Sequence, residues 1–91
     1  MDVMDCVKKL KIDGWVYNPD VEDKLGSVYF DRNEDDYIRF SPVKNMDDTY
    51  VLTIVIGCQD REMFISTLID DELNLKNTEI WIKKELKKYE D

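Results

Sequence analysis

The feature that most constrains the fold is an uncharged apolar run, TYVLTIVIGC, at residues 49–58. It is the longest such run in a chain of which 37% of the residues are charged. Both alternating sets of side chains in the run are apolar, which is typical of a strand inside a sheet with helices over one face. We therefore expect an interior strand here, and Gly57 indicates a bulge or a close approach near its end.

A β-hairpin is predicted over residues 27–32 and 37–41, because the apolar pattern there changes to a period of two. The apolar residues of the two predicted strands pair in a single register, with no residue left over. Two apolar cross-strand pairs define that register, Phe30 with Ile38 and Val28 with Phe40. Pro42 is expected to end the second strand, since proline cannot donate a hydrogen bond to a ladder.

Residues 62–70 (EMFISTLID) fit either a strand or a helix. β-Branched residues and serine fill most of the centre and favour a fourth strand. The alternative is a helix with Phe64 and Leu68 on one apolar stripe.

Helices are predicted near both ends of the chain. In residues 2–11 the apolar side chains recur at helical spacing, and Gly14 follows as a helix stop. In residues 77–89 the same spacing returns, with Asn77 or Thr78 as the N-cap.

The segment between the first helix and the hairpin is less regular. Residues 15–17 are expected to be extended or an irregular crossing, and residues 19–25 either one or two helical turns or a loop. The predicted fold is α+β, a single domain over residues 1–91, with both helices packed on one face of a three- to four-stranded antiparallel sheet. The predicted strands are residues 27–32, 37–41, 49–58 and 62–70.

Composition excludes several classes of chemistry. The chain has no histidine, which excludes catalytic triads, histidine–zinc sites and imidazole pH switches. Cys6 and Cys58 have neither a metal-ligand spacing nor that of a disulfide framework, and we expect both to be small core residues. With only three glycines and no nucleophile motif, no phosphate-binding loop, cofactor or catalytic residue is predicted.

The motif Asp31-x-Asn33-x-Asp35 matches the first ligands of a calcium loop. The sixth position of that loop requires glycine and is Asp36 here, and the twelfth requires glutamate and is Pro42. We therefore interpret these residues as a hairpin tip, and no metal site is predicted.

The N-terminus lacks a positively charged segment followed by an apolar one, so no secretory signal is expected. No apolar segment is long enough to span a membrane. A cytoplasmic location is therefore expected.

The chain carries 21 acidic against 13 basic residues, a net charge of −8. Such a chain repels phosphate backbones and anionic membranes and attracts a basic protein. Its acidic clusters adjoin predicted turns, where they either keep the sheet soluble or form a negative surface that occupies a basic site on a partner. If the surface is functional, the predicted contact residues are Asp20, Glu22, Asp23, Glu34, Asp35, Asp36, Tyr37, Asp47 and Asp48.

In size and charge alone, the chain is similar to the small inhibitors that phages use against bacterial defences, including anti-CRISPR and anti-restriction proteins. It also looks like bacterial immunity proteins that neutralise basic nuclease toxins. The resemblance covers no alignable residues. It favours a non-enzymatic inhibitor that blocks a basic, nucleic-acid-binding partner such as a nuclease, as a monomer or homodimer. The alternative is a structural or regulatory subunit that assembles through its sheet edge and the helix that carries Trp81.

Overall fold

The computed structural model describes residues 3–21, 26–47, 50–58, 61–69 and 72–88. The predicted α+β class is confirmed. In chain order the elements are α1 (Val3–Lys8), β1 (Val16–Asn18), β2 (Val28–Arg32), β3 (Asp36–Lys44), β4 (Tyr50–Cys58), β5 (Arg61–Ile69) and α2 (Glu72–Lys87).

The five strands form one antiparallel sheet in the order β1-β2-β3-β4-β5. The predicted count of three to four strands is therefore too low. The additional strand, β1, has only three residues and pairs Val16 with Asp31 and Asn18 with Tyr29. Three residues are too few to establish a period-two pattern, so pairing with β2 rather than local sequence defines this strand.

The predicted hairpin register is confirmed, with Phe30 opposite Ile38 and Val28 opposite Phe40. The predicted interior strand is also confirmed, because β4 lies between β3 and β5. Of the two alternatives for residues 62–70, the strand is correct, and it spans Arg61–Ile69.

The expectation that Pro42 ends its strand is wrong. β3 continues to Lys44, and Pro42 lies opposite Leu52 of β4. β2 pairs with β3 only as far as Phe40, so beyond that residue β3 has a neighbour on one side alone. Proline is tolerated at such a position, since its missing N–H can face the unpaired edge.

Both helix boundaries also differ from the prediction. α1 ends at Lys8, where tight turns follow: the Lys9 amide donates to the Cys6 carbonyl at 3.1 Å. Gly14 has a left-handed φ of 85°, but in the turn before Trp15 rather than at the end of the helix.

α2 begins at Glu72, five residues earlier than predicted. Thr78 is not a cap, because its hydroxyl donates to the Asn74 carbonyl within the helix at 2.9 Å. The additional turn is stabilised by Leu75, which is buried against the sheet.

Both helices pack on one face of the sheet, the covered face. Its central side chains are at most 2% exposed: Val28, Phe30, Ile38, Phe40, Leu52, Ile54 and Ile56. Val7 of α1 and Ile82 of α2 pack against them, and burying each such side chain contributes about 1.5–3 kcal/mol. The other face, the open face, carries the alternate residues of each strand. Neither described helix is long and apolar enough to cross a membrane.

Candidate protein-binding surface at the hairpin end of the sheet

The predicted contact residues divide between the two ends of the sheet. We call the hairpin end the one at which residues 33–35 join β2 to β3. Glu34, Asp35, Asp36 and Tyr37 lie at this end, because β3 begins at Asp36.

Asp20 and Asp47 lie away from the hairpin end. Asp20 follows β1, whose last residue pairs with Tyr29, and Asp47 follows the end of β3. A nine-residue strand separates the two ends by roughly 27 Å. The remaining predicted contacts, Glu22, Asp23 and Asp48, lie outside the described residues.

The tip of the hairpin holds two acids in solvent. Asn33 adopts a left-handed φ of 55°, a conformation that asparagine tolerates better than most residues. The chain turns there, and Glu34 and Asp35 are both exposed. These two carboxylates are thus accessible to a partner.

Asp36 points to the covered face instead. Arg32 donates to Asp36 Oδ2 from Nη2 at 3.0 Å and from Nε at 3.3 Å. The two side chains are only 25% and 13% exposed, and the guanidinium lies 4.6 Å from the centroid of the Trp15 ring. The carboxylate of Asp36 is therefore neutralised and covered, and it closes the end of the core.

Cys58 completes this covered cluster. Its sulfur accepts a hydrogen bond from Arg32 Nη2 at 3.0 Å and lies 3.8 Å from Asp36 Oδ2. Burial raises the pKa of the Cys58 thiol, and the carboxylate of Asp36 raises it further. A protonated, buried thiol is a poor nucleophile, so the cluster is suited to stabilising the fold. The prediction that Cys58 is a core residue is confirmed.

Tyr37 lies on the open face directly above Gly57. A Cβ at Gly57 would lie 2.7 Å from Tyr37 Cζ, so only glycine leaves room for the ring. The register continues from Gly57 to Glu62, and the Tyr37 hydroxyl donates to Glu62 Oε1 at 3.0 Å. The close approach predicted at Gly57 is thus a place for an aromatic ring.

The position of Tyr37 also changes its acidity. Burial raises the pKa of Tyr37 above its ordinary value of 10.0, and the hydrogen bond and charge of Glu62 raise it further. The ring is therefore a neutral, fixed aromatic surface at physiological pH, bordered by a carboxylate.

The centre of the open face has an unsatisfied polar atom. Tyr29, Arg39, Val55 and Phe64 lie side by side across four strands. Nε of Arg39 is buried and has no hydrogen-bond partner within the described part of the chain. Phe64, two strands away in the same row, is 63% exposed. A buried donor without an acceptor is costly, and an incoming protein that supplies an acceptor would remove that cost.

Glu62 and Arg39 were not among the predicted contacts. Glu62 reaches Tyr37 through two strand registers, Tyr37 opposite Gly57 and Gly57 opposite Glu62, and the sequence analysis predicted neither. The missing acceptor for Arg39 Nε has no counterpart in a local pattern, since it depends on which side chains surround that atom.

The described residues contain no group of three or more cysteine or acidic side chains arranged to hold a metal ion. A shallow depression at the hairpin end is lined by Asp35, Tyr37, Gly57, Cys58, Arg61 and Glu62. Its lining brings together two carboxylates, a phenol, a thiol and a cation around a glycine.

Comparison of the chain with protein-family models, with curated proteins and with solved structures found no match.

Proposed function

We propose that this chain is a non-enzymatic protein that binds and inhibits a basic, nucleic-acid-binding partner in the cytoplasm, which is the host cytoplasm if a phage encodes the chain. The contact is made by the hairpin-end surface, which consists of Glu34, Asp35, Tyr37 and Glu62. The observation that carries the proposal is the Tyr37 ring, which lies on Gly57 and is tied to Glu62 beside two exposed carboxylates.

A fixed tyrosine is well suited to a protein contact. It offers a large amphipathic area and loses little conformational freedom on binding, and tyrosine is enriched among residues that dominate binding energy. Here the hydrogen bond to Glu62 and the contact with Gly57 already hold the ring. The free chain has therefore already lost the conformational freedom of this ring, so binding a partner costs little further entropy there.

The carboxylates give the surface its preference for a basic partner. Glu34, Asp35 and Glu62 are exposed, and the exposed cation Arg61 lines the same depression as Asp35 and Glu62. Asp36 adds little, because Arg32 neutralises it. Complementary charge of this kind increases the association rate and excludes acidic partners.

Distance limits what the acids at the other end contribute. Charges separated by more than the screening length, about 8 Å at physiological ionic strength, interact weakly through solvent. Asp47 is separated from the hairpin end by the length of β3. Asp20 follows β1, whose last residue pairs with Tyr29, three residues or roughly 10 Å from the hairpin end of β2. They contribute to the overall negative field and not to the local contact.

The test begins with a matched pair of double variants. Glu34→Lys/Asp35→Lys and Asp20→Lys/Asp47→Lys change the net charge equally, but at opposite ends of the sheet. The immobilised wild-type chain is incubated with a bacterial lysate, retained proteins are eluted between 50 and 500 mM NaCl and identified, and the affinity of each purified candidate is then measured for all three chains.

We expect a basic nucleic-acid-binding protein whose affinity falls with salt, falls at least tenfold for the hairpin-end variant, and changes less for the control. Duplex DNA should compete with the chain for it. Equal losses in the two variants, or an affinity that does not change with salt, would contradict the proposed contact.

A further inference from the structure

A groove lies on the covered side of the sheet, between β5 and α2. Ile54 and Ile65 line it from the sheet, and Trp81 lines it from the helix. Its volume is about 210 Å³, which is below the roughly 300–1,000 Å³ of pockets that take drug-sized ligands. The groove therefore has room for a single ring.

The groove is uncharged. Among the described residues no charged side chain lines it, in a chain of which 37% of the residues are charged. The polar groups around it belong to Thr67, Asn74, Asn77 and Thr78. The Thr78 hydroxyl already donates to the Asn74 carbonyl, whereas Asn77 is exposed and its amide can both donate and accept. The lining suits a group with apolar faces and neutral hydrogen-bonding atoms at its edge.

The composition of α2 also points to the groove. Asparagine and threonine are less favourable inside a helix than leucine, lysine or glutamate. All those in α2, namely Asn74, Asn77 and Thr78, line the groove, and the rest of the helix consists of Glu, Lys, Leu, Ile and Trp. Residues that oppose the local structure are expected at functional sites. This stretch of α2 therefore has the composition of a binding site.

Trp81 supplies an aromatic wall. It packs against the core and is only half-buried, whereas the other tryptophan, Trp15, is 6% exposed. Aromatic rings prefer offset-stacked or edge-to-face contacts with other rings. Trp81 follows Asn77 by four residues, so the two side chains lie on the same side of the helix. A single ligand can contact both of them.

We propose that the groove binds an uncharged, planar aromatic ring that carries hydrogen-bonding groups at its edge, such as an aromatic amide. The ring contacts Trp81 and Ile65, and its edge exchanges hydrogen bonds with the Asn77 amide. A charged ring is disfavoured, because the described lining supplies no counter-ion and an unpaired charge taken out of water costs far more than a neutral polar group.

This site is distinct from the hairpin-end surface. Thr67 lies six residues beyond Arg61, the first residue of β5, which separates the groove from the hairpin end by roughly 20 Å. Ring binding requires no protein partner and should be unchanged in Glu34→Lys/Asp35→Lys. The inference therefore goes beyond the proposed function, and either can fail without the other.

Three small molecules of similar size test the class of ligand: benzamide is neutral, benzoate is an anion and benzylamine is a cation at neutral pH. Each is titrated into the isotopically labelled chain and followed by NMR. The indole N–H of Trp81 and the side-chain amide of Asn77 report on the groove. The indole N–H of Trp15 is the internal control, because Trp15 does not line the groove.

We expect benzamide to shift the Trp81 and Asn77 resonances and not that of Trp15, with a dissociation constant on the order of 1 mM for so small a ligand. Benzoate and benzylamine should bind roughly tenfold more weakly. The site is overturned if benzamide leaves the Trp81 resonance unchanged up to the limit of its solubility. The class of ligand is overturned if either ion binds as tightly as benzamide.

Asn77→Ala tests the polar edge of the site. It removes the amide and improves helix propensity, so the affinity for benzamide should fall several-fold while the urea midpoint rises. A weaker affinity in a more stable chain cannot come from unfolding. Toluene, which has no hydrogen-bonding group, should bind equally well to both chains.

The matched control for Asn77→Ala is Ile80→Ala, because Ile80 is 53% exposed on α2 and does not line the groove. This variant should bind benzamide as the wild type does. An equal loss of affinity in the two variants, or an unchanged affinity in Asn77→Ala, contradicts the proposed contact with the amide.

Discussion

Two adjacent residues at the hairpin end, Asp36 and Tyr37, enter clusters on opposite faces of the sheet. On the covered face Asp36 is held by Arg32, which stacks on Trp15, and the group is largely shielded from water. On the open face Tyr37 lies on Gly57 and remains accessible to a partner.

The difference shows how neighbouring carboxylates come to lie in different environments. Glu34, Asp35 and Asp36 are consecutive and chemically alike, yet only the first two remain in solvent. Glu34 and Asp35 lie in the turn, whereas Asp36 is the first residue of β3 and faces the covered side. The position at which the strand begins therefore decides whether a carboxylate closes the core or stays in solvent. Changes in the covered cluster should therefore affect stability, and changes in the open one should affect binding.

The largest effect on stability is expected from Arg32→Met. The variant keeps an apolar side chain near Trp15 but leaves the Asp36 carboxylate without its cation in a mostly buried site. Breaking a buried pair costs 3–5 kcal/mol, and partial exposure here reduces that to about 2–3 kcal/mol. Urea unfolding measures the loss.

Lys83→Met is the matched control for Arg32→Met. Lys83 pairs with Glu79 at 2.8 Å on an exposed helix surface, and removing such a pair changes stability by about 0.5 kcal/mol or less. If the two variants lose the same stability, the covered cluster has no special role. The affinity of the hairpin-end surface should be unchanged in both.

A smaller effect is expected from Gly57→Ala. The new Cβ would occupy the space of the Tyr37 ring, so the ring must move away. We expect a loss of about 1–2 kcal/mol together with weaker partner binding.

The reference for Gly57→Ala is the same change made in a Tyr37→Ala chain, where the ring is absent. There the alanine should cost much less, so a double-mutant cycle by urea unfolding isolates the contact. An equal cost in both backgrounds would mean that the ring does not depend on the glycine.

The smallest effect is expected from Tyr37→Phe, which removes the hydrogen bond to Glu62 and retains the ring. An exposed hydrogen bond of this kind contributes about 0.5 kcal/mol. The pH dependence is more informative, because the folded state raises the pKa of Tyr37 above 10.0.

A raised pKa means that protonated Tyr37 stabilises the fold below pH 10, and that this contribution is lost as the pH rises through the folded value. Tyr37→Phe should therefore lose stability less steeply than the wild type above pH 10. Cys58 also titrates in this range with a raised pKa, but it does so in both proteins and cancels in the comparison. Parallel stability curves would contradict the role assigned to the Tyr37 hydroxyl.

The alternation of side chains between the two faces of β3 already predicts part of the site. It assigned Ile38 and Phe40 to one face and Tyr37 and Arg39 to the other, as the structure has them. Extended back by two positions, it assigns Asp36 to the covered face. The prediction instead placed Asp36 in a solvated turn. The turn ends at Asp35, one residue earlier than the acidic composition suggests.

Other features could not be read from local pattern. The predicted contact residues fall into two groups because Asp20 and Asp47 follow the strand ends that point away from the hairpin tip. For Asp20 this position depends on the pairing of β1 with β2. α2 begins early because Leu75 is buried against the sheet. In each case the deciding interaction joins residues that are distant in the sequence.

The sequence by itself determined the α+β class, the hairpin register and the interior position of β4, because all three follow from the period of apolar side chains along short segments. Only the tertiary structure decided that β1 is a strand, that Arg32 neutralises Asp36, and that Tyr37 lies on Gly57 against Glu62. These depend on which side chains meet across strands, and on the burial and charge at the place where they meet.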